Sequence, residues 1–319
     1  MGNCSLGFKN KISGWIHEKP EDLNPMKKRK QSPAEELTNC KKSRMDTQNT
    51  PSLNEVINLG IPHVGELIFE NIDTPELFRC ALVSETWKVL AENVLIKRWK
   101  GKILEACKSG ETKVVRLLLD HCNSEESGLN TEDEDGWTPY MWACRNGHKD
   151  VVQLLLDHPE RIELNARANN GSPELMLDDR WTAFTMACWN GHKDVVQLLL
   201  EHSERIDLNT IDSVGDTAFI SACWNGQKDV VQLLLEHSEI IDLNARNNNG
   251  GTALIEACHN GEKDVVQLLL ENSNIDPNAR DNEGKTAFMI ACDLGQKDVV
   301  KLLLDCSEVV DIKFPGSYF

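Results

Sequence analysis

The segment GHKDVVQLLL at residues 147–156 returns unchanged at 191–200, and near-copies begin at residues 226, 261 and 295. Each copy follows a short helix-like segment that ends in Ala-Cys. Successive cysteines at this position lie 37, 44, 35, 35 and 34 residues apart; they are Cys107, Cys144, Cys188, Cys223, Cys258 and Cys292. A period near 34 residues predicts a solenoid in which each unit contacts only its neighbours.

One unit of this repeat contains the signals for two helices. Thr182 is placed to cap a first helix, and Gly191 provides a turn residue without a Cβ atom. Valines and leucines between Val195 and Leu200 then give a second helix a wide apolar face. Because neither helix buries its apolar face alone, the units must stack. We therefore predict an all-α solenoid of about six helix pairs over residues 101–311, with degenerate end units and a tail at 312–319.

The same residues resemble a known repeat family. The unit GWTPYMWACRNGHKDVVQLLLDHPERIELNA, which begins at Gly136, is similar to the ankyrin repeat. The resemblance implies helix pairs joined by short hairpin loops and a protein-binding function. The Thr-Pro-Leu-His segment of ankyrin repeats is replaced here by TPYM, TAFT, TAFI, TALI and TAFM, so the family's histidine-mediated hydrogen bonding is absent.

Composition limits the classes of function. The 319 residues are 40% apolar with a mean hydropathy of −0.40, and no apolar run is long enough for a membrane span or a secretory signal. Eleven cysteines, an odd number, favour reduced thiols over a disulfide scaffold. The net charge of −17 argues against direct nucleic-acid binding. That charge is uneven, because residues 1–50 hold ten Lys and Arg against six Asp and Glu.

No residue pattern indicates catalysis or a cofactor. The pairs Cys144–His148 and Cys188–His192 have the i, i+4 spacing of metal sites, but two such pairs do not make four convergent ligands. The aligned cysteines fit better as small core residues. The sequence contains no nucleophile–base constellation and no phosphate-binding glycine loop, so we predict a non-catalytic binding protein without metal or cofactor.

A different helical pattern precedes the repeats. It reads PELFRCALVSETWKVLAENVLIKRWK from Pro75, and Thr74 before this proline predicts a helix cap. Five apolar residues fit a buried helix face; they are Leu77, Leu82, Val83, Trp87 and Leu90.

This pattern resembles an F-box, a three-helix module that we place over residues 51–100. The resemblance implies binding to the Skp-type adaptor of cullin-RING ubiquitin ligases. On that basis the adaptor-binding residues are Pro62, Leu67, Ile68, Leu77, Leu82, Val83 and Trp87. The alternative is that residues 55–100 form only a helical cap that hides Ile103 and Leu104 from water.

The first 50 residues are predicted to be a disordered basic tail. Its two clusters, KKRK at 27–30 and KKSR at 41–44, fit a bipartite nuclear import signal that importin would read. The basic residues are Lys27, Lys28, Arg29, Lys30, Lys41, Lys42 and Arg44. We therefore expect a nuclear and cytoplasmic location. The competing signal is Gly2, because MGNCS is similar to a myristoylation start, although Ser5 stands one residue too early.

The ankyrin resemblance also implies a surface for a target protein. Ankyrin stacks bind through exposed positions of the first helix, which here are Trp137, Arg145, Trp181, Trp189, Trp224, His259 and Asp293. Large aromatic side chains and arginine often dominate interface energies. Trp142 lies on the more interior side of its helix and is expected in the core. An insertion at 172–180 is expected to form a finger that carries Leu175, Met176 and Leu177.

Together these features predict the substrate-recognition subunit of a cullin-RING (SCF-type) ubiquitin ligase. The F-box would bind the adaptor, the repeats would hold an unknown target protein, and the chain would be a monomer within the complex. One alternative is a nuclear ankyrin scaffold or transcription cofactor without a ligase role. Another is an inhibitor that covers an enzyme's active site. The hypotheses differ in whether residues 55–100 bind an adaptor.

Overall fold

The computed structural model describes residues 69–70, 72–82, 85–122, 128–168 and 180–312. Two helices precede the repeats: α1 (Thr74–Cys80) and α2 (Glu85–Trp99). The first helices of repeats 1 to 6 are α3 (Ile103–Ser109), α5 (Pro139–Arg145), α7 (Ala183–Trp189), α9 (Ala218–Trp224), α11 (Ala253–Asn260) and α13 (Ala287–Asp293). The second helices are α4 (Thr112–His121), α6 (Lys149–Leu156), α8 (Lys193–Leu200), α10 (Lys228–Leu235), α12 (Lys263–Glu271) and α14 (Lys297–Asp305).

The predicted all-α solenoid is confirmed over these described ranges. They contain α-helices and one short 3-10 turn at Pro159–Arg161, and the only β-type pairings in them are two isolated bridges. The predictions for residues 1–50 fall outside the described residues, as do those for the finger residues Leu175, Met176 and Leu177.

Threonine caps set the start of the first helices in repeats 2 to 6. In each of these repeats the threonine Oγ1 accepts a hydrogen bond from the backbone N–H three residues later, which satisfies one of the donors that a helix start leaves open. The capping residues are Thr138, Thr182, Thr217, Thr252 and Thr286. The predicted cap at Thr182 is therefore confirmed. Gly191, in the turn that follows, has φ +76°, a left-handed conformation that favours glycine.

Stacking of the helix pairs produces one continuous core. First helices pack against the first helices of adjacent repeats, and second helices do the same, so the core lies between two helical layers. Val196 and Leu199 of α8 are completely buried, as are Cys144 and Cys188 of the first helices. The aligned cysteines thus serve as small core residues, and the nine described cysteines form no disulfide with one another. Burial raises the pKa of the Cys107 thiol to about 12, so this thiol is inert as a nucleophile.

A ladder of asparagine side chains joins successive hairpins. The Asn165 amide donates to Arg205 O (3.0 Å), and its Oδ1 accepts from the Asp207 N–H (3.0 Å). The same paired bonds recur along the solenoid at Asn130, Asn209, Asn244 and Asn278. Each amide therefore satisfies two backbone groups of the next hairpin and fixes the spacing between repeats.

The helical module before the repeats packs directly on the first of them. Helix α2 contacts α4, and Phe78, Ile96 and Trp99 pack against the solenoid core. Only three residues separate α2 from α3, and Gly101 among them has φ +76°. The module therefore covers the N-terminal end of the stack.

The predicted cap at Thr74 is wrong. Asp73 is the N-cap of α1, because its Oδ1 accepts the Glu76 N–H (3.0 Å). The Thr74 hydroxyl instead accepts hydrogen bonds from Arg98 Nη1 (3.3 Å) and Trp99 Nε1 (3.4 Å). A hydroxyl used to join α1 to α2 is not available to cap its own helix.

Candidate protein-interaction surface

Three registers of the first helices bring their side chains to one face. The register before the capping threonine holds Trp137, Trp181, Asp216, Gly251 and Lys285. Five residues further along the chain are Trp142, Met186, Ser221, Glu256 and Ile290. The register after the Ala-Cys pair holds Lys108, Arg145, Trp189, Trp224, His259 and Asp293. We call these three registers the first-helix face. It contains every residue that the sequence predicted to bind a target.

In repeat 2 this face is filled by the chain's own cations. The ring centroids of Trp137 and Trp142 lie 4.6 Å apart. The Arg145 guanidinium carbon lies 4.9 Å from the Trp137 centroid and 5.1 Å from the Trp142 centroid, and Lys108 Nζ lies 3.9 Å from the latter. Partial burial lowers the pKa of Arg145 below its usual range. The cluster contains three cation–π contacts, all formed within the chain.

Trp142 belongs to the core and to the face at once. It is 8% exposed, in agreement with its predicted core position, and its Nε1 donates to Asp133 Oδ2 (2.7 Å). Its ring nevertheless supports both cations of the cluster. The buried indole therefore provides a fixed surface on which Lys108 and Arg145 lie.

In repeat 3 an indole replaces the arginine. The ring centroids of Trp181 and Trp189 lie 5.2 Å apart, and both side chains are half-buried. The Trp181 indole donates a hydrogen bond to the Asp212 carboxylate. The Trp189 Nε1 atom is buried and meets no acceptor among the described residues. Repeat 3 thus presents an aromatic pair where repeat 2 presents an aromatic–arginine pair.

Repeats 4 to 6 continue the face with mixed chemistry. Trp224 stacks on His259 with centroids 5.1 Å apart and an interplanar angle of 21°. At the end of the row Lys285 Nζ pairs with Asp293 Oδ2 (2.8 Å). Along the register after the Ala-Cys pair, the side chains therefore change from cations in repeats 1 and 2 to indoles in repeats 3 and 4. In repeat 6 the register ends at a carboxylate that already forms an ion pair.

Carboxyl groups cluster between repeats 4 and 5. The Asn247 amide donates to Asp216 Oδ1 (2.9 Å) and to Glu256 Oε1 (2.8 Å), while Asp212 Oδ1 accepts the Asp216 N–H (2.8 Å). Burial, with the nearby charges of Asp212 and Glu256, raises the pKa of Asp216 to about 7. Burial also raises the pKa values of Asp212 and Glu256 above their usual range. Gly251 leaves room for this arrangement, because a Cβ atom there would overlap the Glu256 carboxyl.

The backbone beneath the face is bonded to the next repeat. Lys108 O accepts from Asn146 Nδ2 (2.9 Å) and contacts His148 Nε2 (3.0 Å). Equivalent contacts tie Arg145 O to His192, Trp189 O to Asn225 and Gln227, Trp224 O to Asn260, and His259 O to Gln296. In repeats 1 to 5, each variable side chain of this register therefore projects from a backbone position that is bonded to the next repeat. Such a surface loses little conformational entropy when it binds.

A family model for "Ankyrin repeats (3 copies)" matches three segments of the chain, residues 97–168, 164–247 and 239–313. The chain belongs to the ankyrin-repeat family. A second family model, for the F-box domain, matches residues 62–99. The predicted combination of an F-box with ankyrin repeats is thereby confirmed. A search of curated proteins found no match.

The F-box residues divide into buried and exposed groups. Leu77 is completely buried, so its side chain forms part of the core rather than a contact surface. Trp87 packs edge-on against Phe69, with ring centroids 5.4 Å apart. Leu82 is 87% exposed, so its predicted place on a buried helix face is wrong. The other predicted adaptor residues, Pro62, Leu67, Ile68 and Val83, lie outside the described residues.

Sequence reasoning missed part of the ankyrin face. It chose Arg145 but not Lys108, the same register one repeat earlier, and it overlooked Asp216 and Glu256. The positions of all three residues within the repeat could have revealed them. Lys108 follows an Ala-Cys pair, Asp216 precedes a capping threonine, and Glu256 lies five residues after the equivalent position of repeat 5. No sequence signal indicated the role of Asn247, whose amide brings the two carboxyl groups together across a repeat boundary.

Metal-binding groups and membrane-spanning helices were both sought among the described residues. None of their His, Cys, Asp and Glu side chains form a group that could hold a metal ion. Across the same ranges, no helix has the length and apolarity that a bilayer crossing requires.

Proposed function

We propose that this F-box and ankyrin-repeat chain is the substrate-recognition subunit of a cullin-RING (SCF-type) ubiquitin ligase. The F-box would bind a Skp-type adaptor, and the first-helix face would hold the target protein. The observation that carries the proposal is an F-box match that adjoins the repeats and contains two apolar side chains exposed to solvent, Leu82 and, on α2, Val89.

Different side chains of the F-box module contact the repeats and face the solvent, which supports two separate roles for the module. Ile96 and Trp99 pack against the repeats, whereas the repeats leave Leu82 and Val89 exposed. Removing exposed apolar side chains from water is favourable, so they are suited to a contact with a partner. The module would therefore cap the solenoid and bind an adaptor with different side chains, so its packing on the repeats does not favour the cap-only alternative.

In this proposal the chain contributes position rather than chemistry. The short connection between α2 and α3 and the packing of Trp99 on the repeats hold the solenoid in a fixed orientation to the F-box module. A conjugating enzyme recruited by the other subunits would then meet a target lysine at high effective concentration. The chain itself would remain non-catalytic.

The test is capture of purified Skp-type adaptor and cullin by the full chain and by a Leu82→Asp variant. We expect the wild type to capture both proteins and the variant to lose capture at least tenfold, because a charge would enter an apolar contact. Leu294→Asp is the matched control, since Leu294 is 48% exposed in repeat 6. Failure of the folded wild type to capture the adaptor would overturn the ligase role.

Import by importin is a separate proposal for the basic tail. Alanine substitutions at Lys27, Lys28, Arg29 and Lys30, together with Lys41, Lys42 and Arg44, should shift a fluorescent fusion from nucleus to cytoplasm. Substitution of one cluster alone should have the smaller effect. A fusion that stays nuclear after both substitutions would contradict the signal.

A further inference from the structure

In repeat 2, cationic side chains of the chain itself lie over the indole rings. Arg145 lies over Trp137 and Trp142, and Lys108 lies over Trp142. Neither cation forms an ion pair with a carboxylate among the described residues, so the rings are their principal partners. The chain thus supplies its own cation to the aromatic face of this repeat.

Repeat 3 has the same aromatic position without the cation. Trp181 occupies the register of Trp137, and Trp189 occupies the register of Arg145. Within the described part of the chain, no Lys or Arg lies over the Trp181–Trp189 pair. The Trp189 N–H is in addition a donor that finds no described acceptor. The pair is an aromatic surface that the chain leaves unfilled.

Carboxyl groups continue from this pair into the next two repeats. Trp181 bonds to Asp212, Asp212 bonds to the Asp216 N–H, and Asn247 links Asp216 to Glu256. None of these three carboxyl groups forms an ion pair with a described Lys or Arg. A ligand on the indoles would therefore lie next to carboxyl groups that form no ion pair with a described cation of the chain.

We propose that the first-helix face of repeats 3 to 5 binds an arginine or lysine side chain of the target protein, placed over Trp181 and Trp189 and beside Asp216 and Glu256. This inference rests on the proposed function in taking the first-helix face as the target site. The occupant follows from charge complementarity: indole faces and carboxylates both attract cations. The row of equivalent positions along the stack suits an extended segment of polypeptide.

Nucleic acid and acidic peptides fit this surface poorly. The chain after residue 50 carries 24 Lys and Arg against 45 Asp and Glu, so a phosphate backbone would be repelled. The cations of the first-helix face are already engaged within the chain: Lys108 and Arg145 lie over indoles, and Lys285 pairs with Asp293.

A peptide-library experiment tests the proposal with the full chain. The probes are pools of labelled ten-residue peptides, random except for one fixed residue, which is Arg, Lys, Gln or Glu. We expect the Arg and Lys pools to bind about fivefold more tightly than the Gln pool, and the Glu pool to bind least. Equal binding of the Arg, Lys and Gln pools, or a preference for Glu, would overturn the proposal.

The decisive variant is Trp189→Arg, which recreates in repeat 3 the aromatic–arginine pair of repeat 2. Because repeat 2 accommodates this pair, the variant should fold, and its preference for basic pools should disappear. The double variant Asp216→Asn, Glu256→Gln should lose the preference as well, whereas Asp194→Asn, on the exposed start of α8, should keep it. A folded Trp189→Arg variant that still prefers basic pools would refute the site.

Adaptor capture separates this inference from the ligase proposal. Trp189→Arg should capture the Skp-type adaptor as the wild type does, because the change lies far from the F-box module along the chain. A wild type that prefers basic peptides but captures no adaptor would leave the binding site standing and remove the ligase role. The reverse result would leave the ligase role standing and remove the basic target.

Discussion

The second helices of repeats 2 to 5 carry the same eight residues, KDVVQLLL, whereas the first helices differ at each register of the first-helix face. The repeated helix meets copies of itself on both sides, so one set of side chains solves the packing problem in every repeat. The residues of the first-helix face lie at the edge of that core. The difference teaches that stacking is specified once and repeated, while recognition is specified separately in each repeat.

A core substitution in the repeated helix should have the largest effect. Leu199→Ala removes a completely buried side chain between repeats, so we expect the free energy of unfolding to fall by about 2–5 kcal/mol. Urea denaturation followed by circular dichroism measures it. Gln197→Ala, exposed on the same helix, is the control and should change stability by less than about 0.5 kcal/mol. A loss below about 1 kcal/mol at Leu199 would mean that stacking does not depend on this helix.

The carboxyl cluster should make stability depend on pH. Burial raises the pKa of folded Asp216 to about 7 from 3.8, so between these values the folded chain binds more protons than the unfolded chain. The free energy of unfolding should therefore fall as pH rises through this window.

Asp216→Asn should reduce that fall by about 4 kcal/mol between pH 4 and pH 8. Denaturant titrations at several pH values measure the effect, and the exposed Asp229→Asn serves as control. Asp212 and Glu256, whose pKa values shift in the same direction, should keep part of the dependence in the variant. A pH profile that does not change in Asp216→Asn would show that this carboxyl group is ionised without cost.

Two glycines at equivalent turns separate local strain from contact between repeats. Gly191 and Gly295 have φ of +76° and +67°, so alanine at either should cost about 1–2 kcal/mol. At Gly191 the added Cβ would also overlap Gln227, which donates to Trp189 O (2.9 Å), whereas Gly295 has open space around it. Gly191→Ala should therefore be the worse by about 1 kcal/mol. Equal unfolding free energies of the two variants would show that Gln227 moves away at no cost.

The smallest effect is expected where repeat 2 is converted toward repeat 3. Arg145→Gln removes the guanidinium from Trp137 and Trp142 and uncovers the face of Trp137, while Lys108 stays over Trp142. We expect binding of the Arg and Lys peptide pools to tighten about two- to threefold. Arg205→Gln, an exposed hairpin residue, is the matched control. Weaker binding in the Arg145 variant would indicate that repeat 2 binds an anionic group of the target instead.

Local sequence signals predicted most of the fold. Thr182 and Gly191 were placed correctly because a helix cap and a left-handed turn depend on a few neighbouring residues. Thr74 was misassigned because Asp73 competes for the same cap, and the choice between them depends on Arg98 and Trp99, which lie a full helix away. Leu82 was placed in the core because its pattern is apolar, yet a periodic pattern does not reveal which partner, in the chain or outside it, covers the residue.

The sequence by itself determined the repeat, its period, its caps and the registers that form the first-helix face, because these depend on residues close together in the chain. Only the tertiary structure decided which faces are filled. Arg145 covers an indole, Trp189 leaves its pair open, and Asn247 joins Asp216 to Glu256, each through contacts made in three dimensions. The physical reason is that charge pairing and ring stacking depend on distance in space, which a repeat pattern fixes only for the backbone.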